Sequence, residues 1–164
     1  NLPLDTRLVE PRGVAAAVAE IAAEVDRRVA AGEDSGPPIF LFVYHLARFR
    51  DLRRREDEFS FSSLDDGESS AADKQFTTIL REGPAHGVHA LIWCDTYNNL
   101  TRAFDRLTLR ELDQRVLFQM SATDSANLMD SPAASRLGAH RAILFSEEQG
   151  TFEKFRPYAA PSSD

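Results

Sequence analysis

The chain has 164 residues, 43% of them hydrophobic, and a formal net charge of −7. This size and composition predict one domain over residues 1–158 and a disordered tail over residues 159–164. The charge argues against sequence-blind nucleic-acid binding over a broad surface. The single cysteine excludes an internal disulfide framework and favours a cytoplasmic setting, and no apolar run is long enough to cross a bilayer.

The first half of the chain predicts two helices and a strand. A helix should run from Pro11 to Gly32, since apolar residues recur on one face at three- and four-residue spacing: Val14, Val18, Ile21, Val25 and Val29. Residues 39–43 are continuously apolar, which predicts a strand buried on both faces of a parallel sheet. Residues 56–73, acidic and serine-rich, predict a mobile surface loop, and a short helix should follow over residues 71–81.

The second half predicts two strands, two helices and a closing hairpin. Residues 88–94 favour a second buried strand with Trp93 in the core, and residues 100–107 favour a helix. Residues 116–120 favour a third strand, and residues 124–129 a short helix. Residues 141–145 and 151–155 predict a β-hairpin. The resulting fold is an α/β domain with a mostly parallel sheet flanked by helices, where ligands bind beyond the carboxyl ends of the strands.

Several segments, in order, resemble one known family. Residues 38–43 resemble its Walker B strand, and Ala85, Gly87 and His89 fit an A-x-G-x-H entry into the next strand. Residues 115–121, followed by Asp124-Ser125 and by residues 128–130, are similar to its "R-I-x-F-x-V-S…D-S…I-L-D" signature. The chain therefore resembles the C-terminal portion of an FtsK/SpoIIIE-type DNA-translocase ATPase domain.

The resemblance implies a RecA-like P-loop core that binds ATP and Mg²⁺. It also implies DNA binding and translocation by a ring of ATPase domains or subunits, as in cell division. The implied location is the cytoplasm, with no membrane contact by this chain, although the full-length protein of such a family can be membrane-associated.

The chain departs from the family at the positions that carry its chemistry. No G-x-x-x-x-G-K-[ST] loop occurs in these residues, and Tyr44 and His45 stand where the family has the Walker B Asp and Glu. Cys94-Asp95 replaces a polar Thr-Gln pair, so Asp95 is a possible substitute carboxylate, as is Asp51. Nucleotide-binding candidates are Asp95, Thr96 and Arg115, while Ala126 occupies a position where the family often has arginine. No residue set predicts a metal site.

Two functions remain open on these residues. The first is an ATP-binding and DNA-binding motor domain with weak or absent hydrolysis. The second is a non-catalytic scaffold or interaction module of a multi-domain motor, for example a protein-secretion ATPase. The arginines over residues 48–55 fit either a nucleic-acid contact or a solvated surface. His86 and His89 are better explained by a structural role than by metal binding, and residues 121–125 by a helix N-cap than by a nucleophile.

Overall fold

The computed structural model describes residues 5–32, 36–54 and 71–159. These residues divide into two compact units, residues 1–109 and residues 110–164. Residues 56–70 of the predicted acidic loop and residues 160–164 of the predicted tail lie outside the described residues.

The first helix, α1 (Val14–Ala31), confirms the prediction from apolar spacing. It follows a 3₁₀ turn that starts at Pro11, and it ends at Gly32, where φ is +80°. Its inward face differs from the prediction at two positions, because Ala22 is buried where the half-buried Ile21 was predicted, and Arg28 is buried where the exposed Val29 was predicted. Arg28 is buried because its guanidinium is fully engaged: Nη1 donates to the carbonyl of His86 and Nη2 to that of Pro37.

Two parallel strands form the sheet of the first unit. Strand β1 (Ile39–Tyr44) pairs with β2 (Val88–Trp93) in register from Ile39–Val88 to Tyr44–Trp93. Between them in sequence lies α2 (Ala72–Glu82), which packs against α1 and contacts β2. Gly83 makes the close turn from α2 to β2, since a Cβ there would lie 2.3 Å from the carbonyl of Ile79. The β1–α2–β2 unit therefore has the parallel arrangement predicted for these segments.

The prediction that both faces of these strands are buried is wrong. Val43 and Val88 are buried, but Phe40 and Phe42 on β1 and Trp93 on β2 are exposed. Exposed and less exposed residues alternate along both strands. Among the described residues, the sheet is therefore covered on one face only, and Trp93 does not belong to the core.

The predicted helix over residues 100–107 is two shorter helices, α3 (Tyr97–Ala103) and α4 (Arg106–Arg110). The break occurs at Phe104, which is extended and buried, and at Asp105, whose carboxylate accepts from the backbone N–H of Thr108 at 2.7 Å. An aspartate at a helix start competes with continuation of the preceding helix. Across the described ranges, no helix has both the length and the apolar content needed to cross a membrane.

The second unit is built on an antiparallel sheet. Strand β3 (Gln114–Leu117) pairs with β4 (Ala142–Ser146), which pairs with β5 (Thr151–Phe155). The hairpin prediction is confirmed. The prediction of a third strand over residues 116–120 in a mostly parallel sheet is wrong, since β3 pairs with the hairpin instead. Apolarity alone does not indicate the direction of a strand.

A short helix, α5 (Ala122–Met129), follows β3 and starts at the predicted N-cap, since Ser121 Oγ accepts from the N–H of Asp124. The fully buried Ser125 fixes the next segment: its hydroxyl donates to the carbonyl of Ser131 and accepts from the N–H of Ala134.

Asp113 organises the hairpin turn of the second unit, so replacing it by alanine should destabilise this unit. Its carboxylate accepts from the N–H of Glu148 at 2.7 Å and from Ser146 Oγ at 3.2 Å. Each bond contributes about 0.5–1.5 kcal/mol, so we expect a loss of about 1–3 kcal/mol in urea unfolding.

The effect of Asp113 should depend on pH. The N–H of Glu148 is the largest cause that holds the pKa of Asp113 below its ordinary value. A carboxyl with a lowered folded-state pKa contributes stability above its ordinary pKa of about 4 and loses it as pH falls further. The difference between the parent protein and Asp113→Ala should therefore shrink below about pH 4. A difference that stays constant down to pH 2 would contradict this account.

Candidate functional site

The carboxyl ends of β1 and β2 bring together five of the residues singled out in the sequence. Because the strands are parallel, Tyr44 and Trp93 are direct neighbours at one edge of the sheet. His45 follows β1, and Asp95 and Thr96 follow β2. The positions predicted to hold ligand-binding residues after these two strands therefore share one edge.

Aromatic rings occupy this edge. The rings of Tyr44 and Trp93 stack at a centroid distance of 5.1 Å with 23° between their planes. The imidazole of His45 lies 5.1 Å from the indole of Trp93, at 58°. His45 has a left-handed backbone with φ of 65°, which is uncommon outside glycine and turns the chain sharply after β1. We name Tyr44, His45 and Trp93 the strand-end cluster.

The carboxylate at this edge is held by a neighbouring side chain. Asp95 Oδ1 accepts from Asn99 Nδ2 at 2.9 Å, and this bond is the main reason that the pKa of Asp95 lies below its ordinary value. The charge of His45 contributes a smaller lowering. Thr96, and not Asp95, is the N-cap of α3, since its Oγ1 accepts from the N–H of Asn99 at 3.2 Å. Asp95 and Thr96 thus both bind the first turn of α3.

These residues do not fit an Mg²⁺ site of the kind that P-loop enzymes use. Magnesium prefers hard oxygen ligands, chiefly carboxylates and water, in an octahedral arrangement. At the end of β1 the chain offers a phenol and an imidazole, and at the end of β2 one carboxylate already bound to Asn99. Within residues 5–32, 36–54 and 71–159, no group of three or more His, Cys, Asp or Glu side chains could hold a metal ion.

Arginines follow both strand ends, but only the segment after β1 carries a net positive charge. Residues 45–54 contain four arginines against one aspartate, whereas residues 94–109 contain two arginines and two aspartates. Helix α3 contacts the 3₁₀ turn Leu46–Arg48, so the two segments are adjacent. Arg48, Arg50, Arg102 and Arg106 are exposed, whereas Arg53 Nη2 donates to the carbonyl of Ala47. Asp51, the other possible substitute carboxylate, lies in the 3₁₀ turn Arg50–Leu52.

Arg115 belongs to the second unit and is engaged within it. Its Nε donates to the carbonyl of Leu112 at 3.1 Å, and its Nη1 donates to the carbonyl of Leu128. Nη1 also pairs with Glu147 at 2.8 Å, and the guanidinium lies 5.6 Å from the ring centroid of Phe145. The assignment of Arg115 to a nucleotide stays a prediction.

The sequence interpretation missed the exposed aromatic side chains on one face of β1 and β2. Phe40 stacks on His89 at 5.5 Å, in the same way that Tyr44 stacks on Trp93. The signal was present in the sequence, because residues 40, 42 and 44 are all aromatic and alternate residues of a strand share a face.

Comparison with known proteins gives a likeness of fold. No family model matches the sequence, and no curated protein matches it. A solved structure of the pCW3 conjugation coupling protein TcpA, in its monomer form with ATPγS, matches with a TM-score of 0.66 and 12% sequence identity. The match covers 91% of this chain and 45% of that chain. This chain therefore has the fold of part of a conjugation coupling protein.

Proposed function

We propose that the chain is part of a RecA-like P-loop ATPase domain of the FtsK/SpoIIIE type that does not itself hydrolyse nucleotide. It acts as a non-catalytic interaction module within a larger motor assembly. The likeness in fold to a conjugation coupling protein supports the relationship to motor ATPases, and the ordered sequence resemblance supports the same family.

One observation carries the non-catalytic part of the proposal. Hydrolysis in P-loop enzymes needs carboxylates at the strand ends, which hold Mg²⁺ and orient the attacking water. In this chain the same edge is filled by the stacked rings of Tyr44 and Trp93 and by His45. Restoring a catalytic edge would require replacing residues whose rings already pack on one another.

A second candidate function, nucleotide and DNA binding without hydrolysis, is favoured by a different observation. Exposed arginines follow both strand ends, at Arg48, Arg50, Arg102 and Arg106. Guanidinium groups bind phosphate oxygens well, and the TcpA structure was solved with ATPγS. Under this second candidate function, the chain contributes phosphate contacts to a ring in which other domains hydrolyse the nucleotide.

The proposal predicts that the full-length polypeptide, if its other domains are inactivated, shows no Mg²⁺-dependent ATP hydrolysis above background. The physical reason is the absence of a carboxylate pair at the strand ends. The measurement is phosphate release with ATP and Mg²⁺, against the same mixture with EDTA. Thermal unfolding is followed in parallel, because a ligand at about 100 times its Kd adds about 2.7 kcal/mol to the stability of the folded state.

A variant pair makes the result specific. Asp95→Asn removes the carboxylate at the end of β2, and Asp26→Asn makes the same change on the exposed side of α1. Hydrolysis that survives Asp26→Asn and disappears in Asp95→Asn would contradict the proposal and assign Asp95 the missing role. Stabilisation by ATP without hydrolysis, or duplex-DNA binding that weakens with salt and in Arg48→Glu, would instead support the second candidate.

A further inference from the structure

Strand β5 forms one edge of the sheet in the second unit. The strand order is β3–β4–β5, and in the described part of the chain β5 pairs with β4 alone. Every second residue of an antiparallel strand directs its N–H and C=O away from the neighbouring strand. No other backbone bond to residues 151–155 occurs among the described residues. The outer side of β5 therefore offers a row of donors and acceptors of the kind that strand addition uses.

One cross-strand row of side chains reaches this edge with an aromatic ring. Arg115, Phe145 and Phe152 are neighbours across β3, β4 and β5. Phe145 is 6% exposed, whereas Phe152, at the end of the row, is 47% exposed. Because cross-strand neighbours cover each other, one further strand beside β5 would add a fourth side chain to this row and bury Phe152.

Basic residues are concentrated at the carboxyl end of β5. Residues 136–146 and 151–159 together contain four lysines or arginines against one glutamate, in a chain with a net charge of −7. Lys154 belongs to β5 and Arg156 follows it directly, while Arg141 directly precedes β4 and lies beside Arg156 in the continued register of the hairpin. All three side chains are exposed, and none forms an ion pair with another described residue.

The carboxylates of this unit do not neutralise that end of β5. Glu153 is adjacent to Lys154 in the strand and therefore lies on the opposite face of the sheet. Asp124 belongs to the first turn of α5, the helix that follows β3, and β4 separates β3 from β5. The remaining carboxylates of residues 110–159 lie at the opposite end, at the start of β3, the end of α5 or the hairpin turn: Glu111, Asp113, Asp130, Glu147 and Glu148.

We propose that the outer edge of β5 binds an extended acidic segment of a partner polypeptide, which adds to the sheet as a fourth strand. The proposal rests on the interaction role proposed above and gives that role a surface and a partner chemistry. Acidic side chains at alternate positions of the segment lie beside Lys154 and Arg156, and an apolar side chain lies beside Phe152. The position beside Glu153 is not acidic, since like charges directly opposite each other destabilise a strand pair.

A second copy of β5 does not meet these requirements. The antiparallel register that pairs all five residues of two copies centres on Glu153 and places this carboxylate opposite itself. A register that centres on Lys154 places two ammonium groups opposite each other. The charges of β5 therefore disfavour self-pairing, as charged residues on edge strands commonly do, and favour a different, acidic chain.

The test combines hydrogen exchange of the 164-residue chain with the binding of fluorescent peptides. The probe is a ten-residue peptide of valine and threonine with two glutamates at alternate positions, and the control peptide has lysine at both positions. We expect the glutamate peptide to slow exchange of amides within residues 151–155 and to bind more tightly than the lysine peptide. The difference between the peptides should shrink at high salt, since exposed charges are screened.

Two N-methylated versions of the glutamate peptide separate strand addition from simple charge attraction. Alternate residues of a strand direct their N–H groups to opposite edges. Methylating one alternate set therefore removes the donors that face β5, whereas methylating the other set leaves them in place. We expect one version to lose binding and the other to keep it.

A matched pair of variants locates the binding site. Lys154→Glu reverses the charge on β5, and Lys74→Glu makes the same change at the chain's other lysine, which is exposed on α2. Lys154→Glu should raise the Kd of the glutamate peptide about fivefold, and Lys74→Glu should leave it unchanged. Circular dichroism verifies that both variants stay folded, as expected for exposed positions.

Four results would overturn the proposal. The first is unchanged exchange over residues 151–155 with the glutamate peptide, or equal binding by both N-methylated versions. The second is equal weakening by the two lysine variants. The third is slow exchange of these amides without peptide, which identifies a second copy as the partner if it is lost on dilution, and the chain's own residues if it is not. The fourth is an oligonucleotide that binds through Lys154 while the peptide does not, which assigns the basic residues to phosphate. None of these measurements involves ATP, so this proposal and the non-catalytic proposal can fail separately.

Discussion

Replacing Arg28 by methionine is expected to lower the free energy of unfolding by about 3–5 kcal/mol. The Arg28 side chain is only 2% exposed and donates to three groups: Glu24 at 2.7 Å, the carbonyl of Pro37 at 2.8 Å and the carbonyl of His86 at 2.9 Å. Pro37 and His86 each lie two residues before the start of one of the two parallel strands. The substitution therefore leaves two carbonyls without their donor and releases the end of α1 from the entry of both strands.

Urea unfolding, followed by Trp93 emission and circular dichroism, measures this loss. Arg27→Met is the matched control, because Arg27 is the adjacent residue, also pairs with Glu24 at 2.7 Å, and is exposed. Hydrogen bonds from both arginines lower the pKa of Glu24 to about 2, and the bond from Arg27 has the larger effect. The control should cost less than about 1 kcal/mol, since exposed ion pairs contribute little. Equal losses in the two variants would show that the buried bonds of Arg28 do not hold the strand entry.

Arg28→Lys tests the geometry of the same contact. A lysine retains the positive charge and most of the aliphatic stem, but its single nitrogen cannot reach three acceptors that lie in different directions. The lysine variant should therefore lose most of the stability that methionine loses. Full stability in Arg28→Lys would mean that charge near Glu24, and not the pattern of donors, is what matters.

Local structure was largely predictable where one physical signal dominates. The three- and four-residue spacing of apolar residues predicted α1 and its end at Gly32, where positive φ favours glycine. The same spacing misplaced two inward positions, choosing Ile21 where Ala22 is buried and Val29 where Arg28 is buried. A periodicity argument scores each residue by its own polarity, and it has no knowledge of carbonyl acceptors 9 and 58 residues away in sequence.

The sheets show a second limit of prediction from the sequence. Continuous apolarity over residues 39–43 indicated correctly that both faces of β1 are apolar, and the parallel pairing with β2 placed the strand-end cluster and Asp95 at one edge. Apolarity does not show what covers each face, and so Phe42 and Trp93 were wrongly assigned to the core. Strand direction was likewise invisible in the third strand, where pairing with a hairpin made β3 antiparallel.

For the candidate site, the sequence predicted which catalytic side chains are missing better than it predicted the geometry. That Tyr44 and His45 stand where carboxylates are required follows from the sequence alone. The stacking of Tyr44 on Trp93 depends on the pairing of two strand ends that are 49 residues apart in sequence. The bond of Asp95 to Asn99 is local, between residues four apart in sequence, and depends on the geometry of the turn into α3. These contacts form a packed arrangement at the place where the family has a pair of carboxylates. Replacing Tyr44 alone by the family's aspartate should therefore not restore hydrolysis.

Replacing Arg115 by methionine should destabilise the second unit by about 2–4 kcal/mol. Its side chain is 13% exposed, pairs with Glu147, and donates to the carbonyls of Leu112 and Leu128. Removing it leaves these carbonyls without a strong donor and separates the end of α5 from the start of β3. Hydrogen exchange over residues 110–159 measures the loss directly, since amides of this unit should exchange faster while α1 and α2 keep their protection.

A structural arginine and a ligand-binding arginine behave differently when lysine replaces them. If Arg115 acts by holding α5 to β3, Arg115→Lys should destabilise the unit nearly as much as Arg115→Met, because one ammonium cannot serve three separated acceptors. Arg141→Met, at an exposed position beside β4, should change stability by less than about 0.5 kcal/mol. If instead Arg115 serves a phosphate or a neighbouring subunit, the lysine variant should keep its stability and lose only binding. Normal hydrogen exchange in Arg115→Lys would therefore contradict the structural role and favour the prediction that Arg115 binds nucleotide.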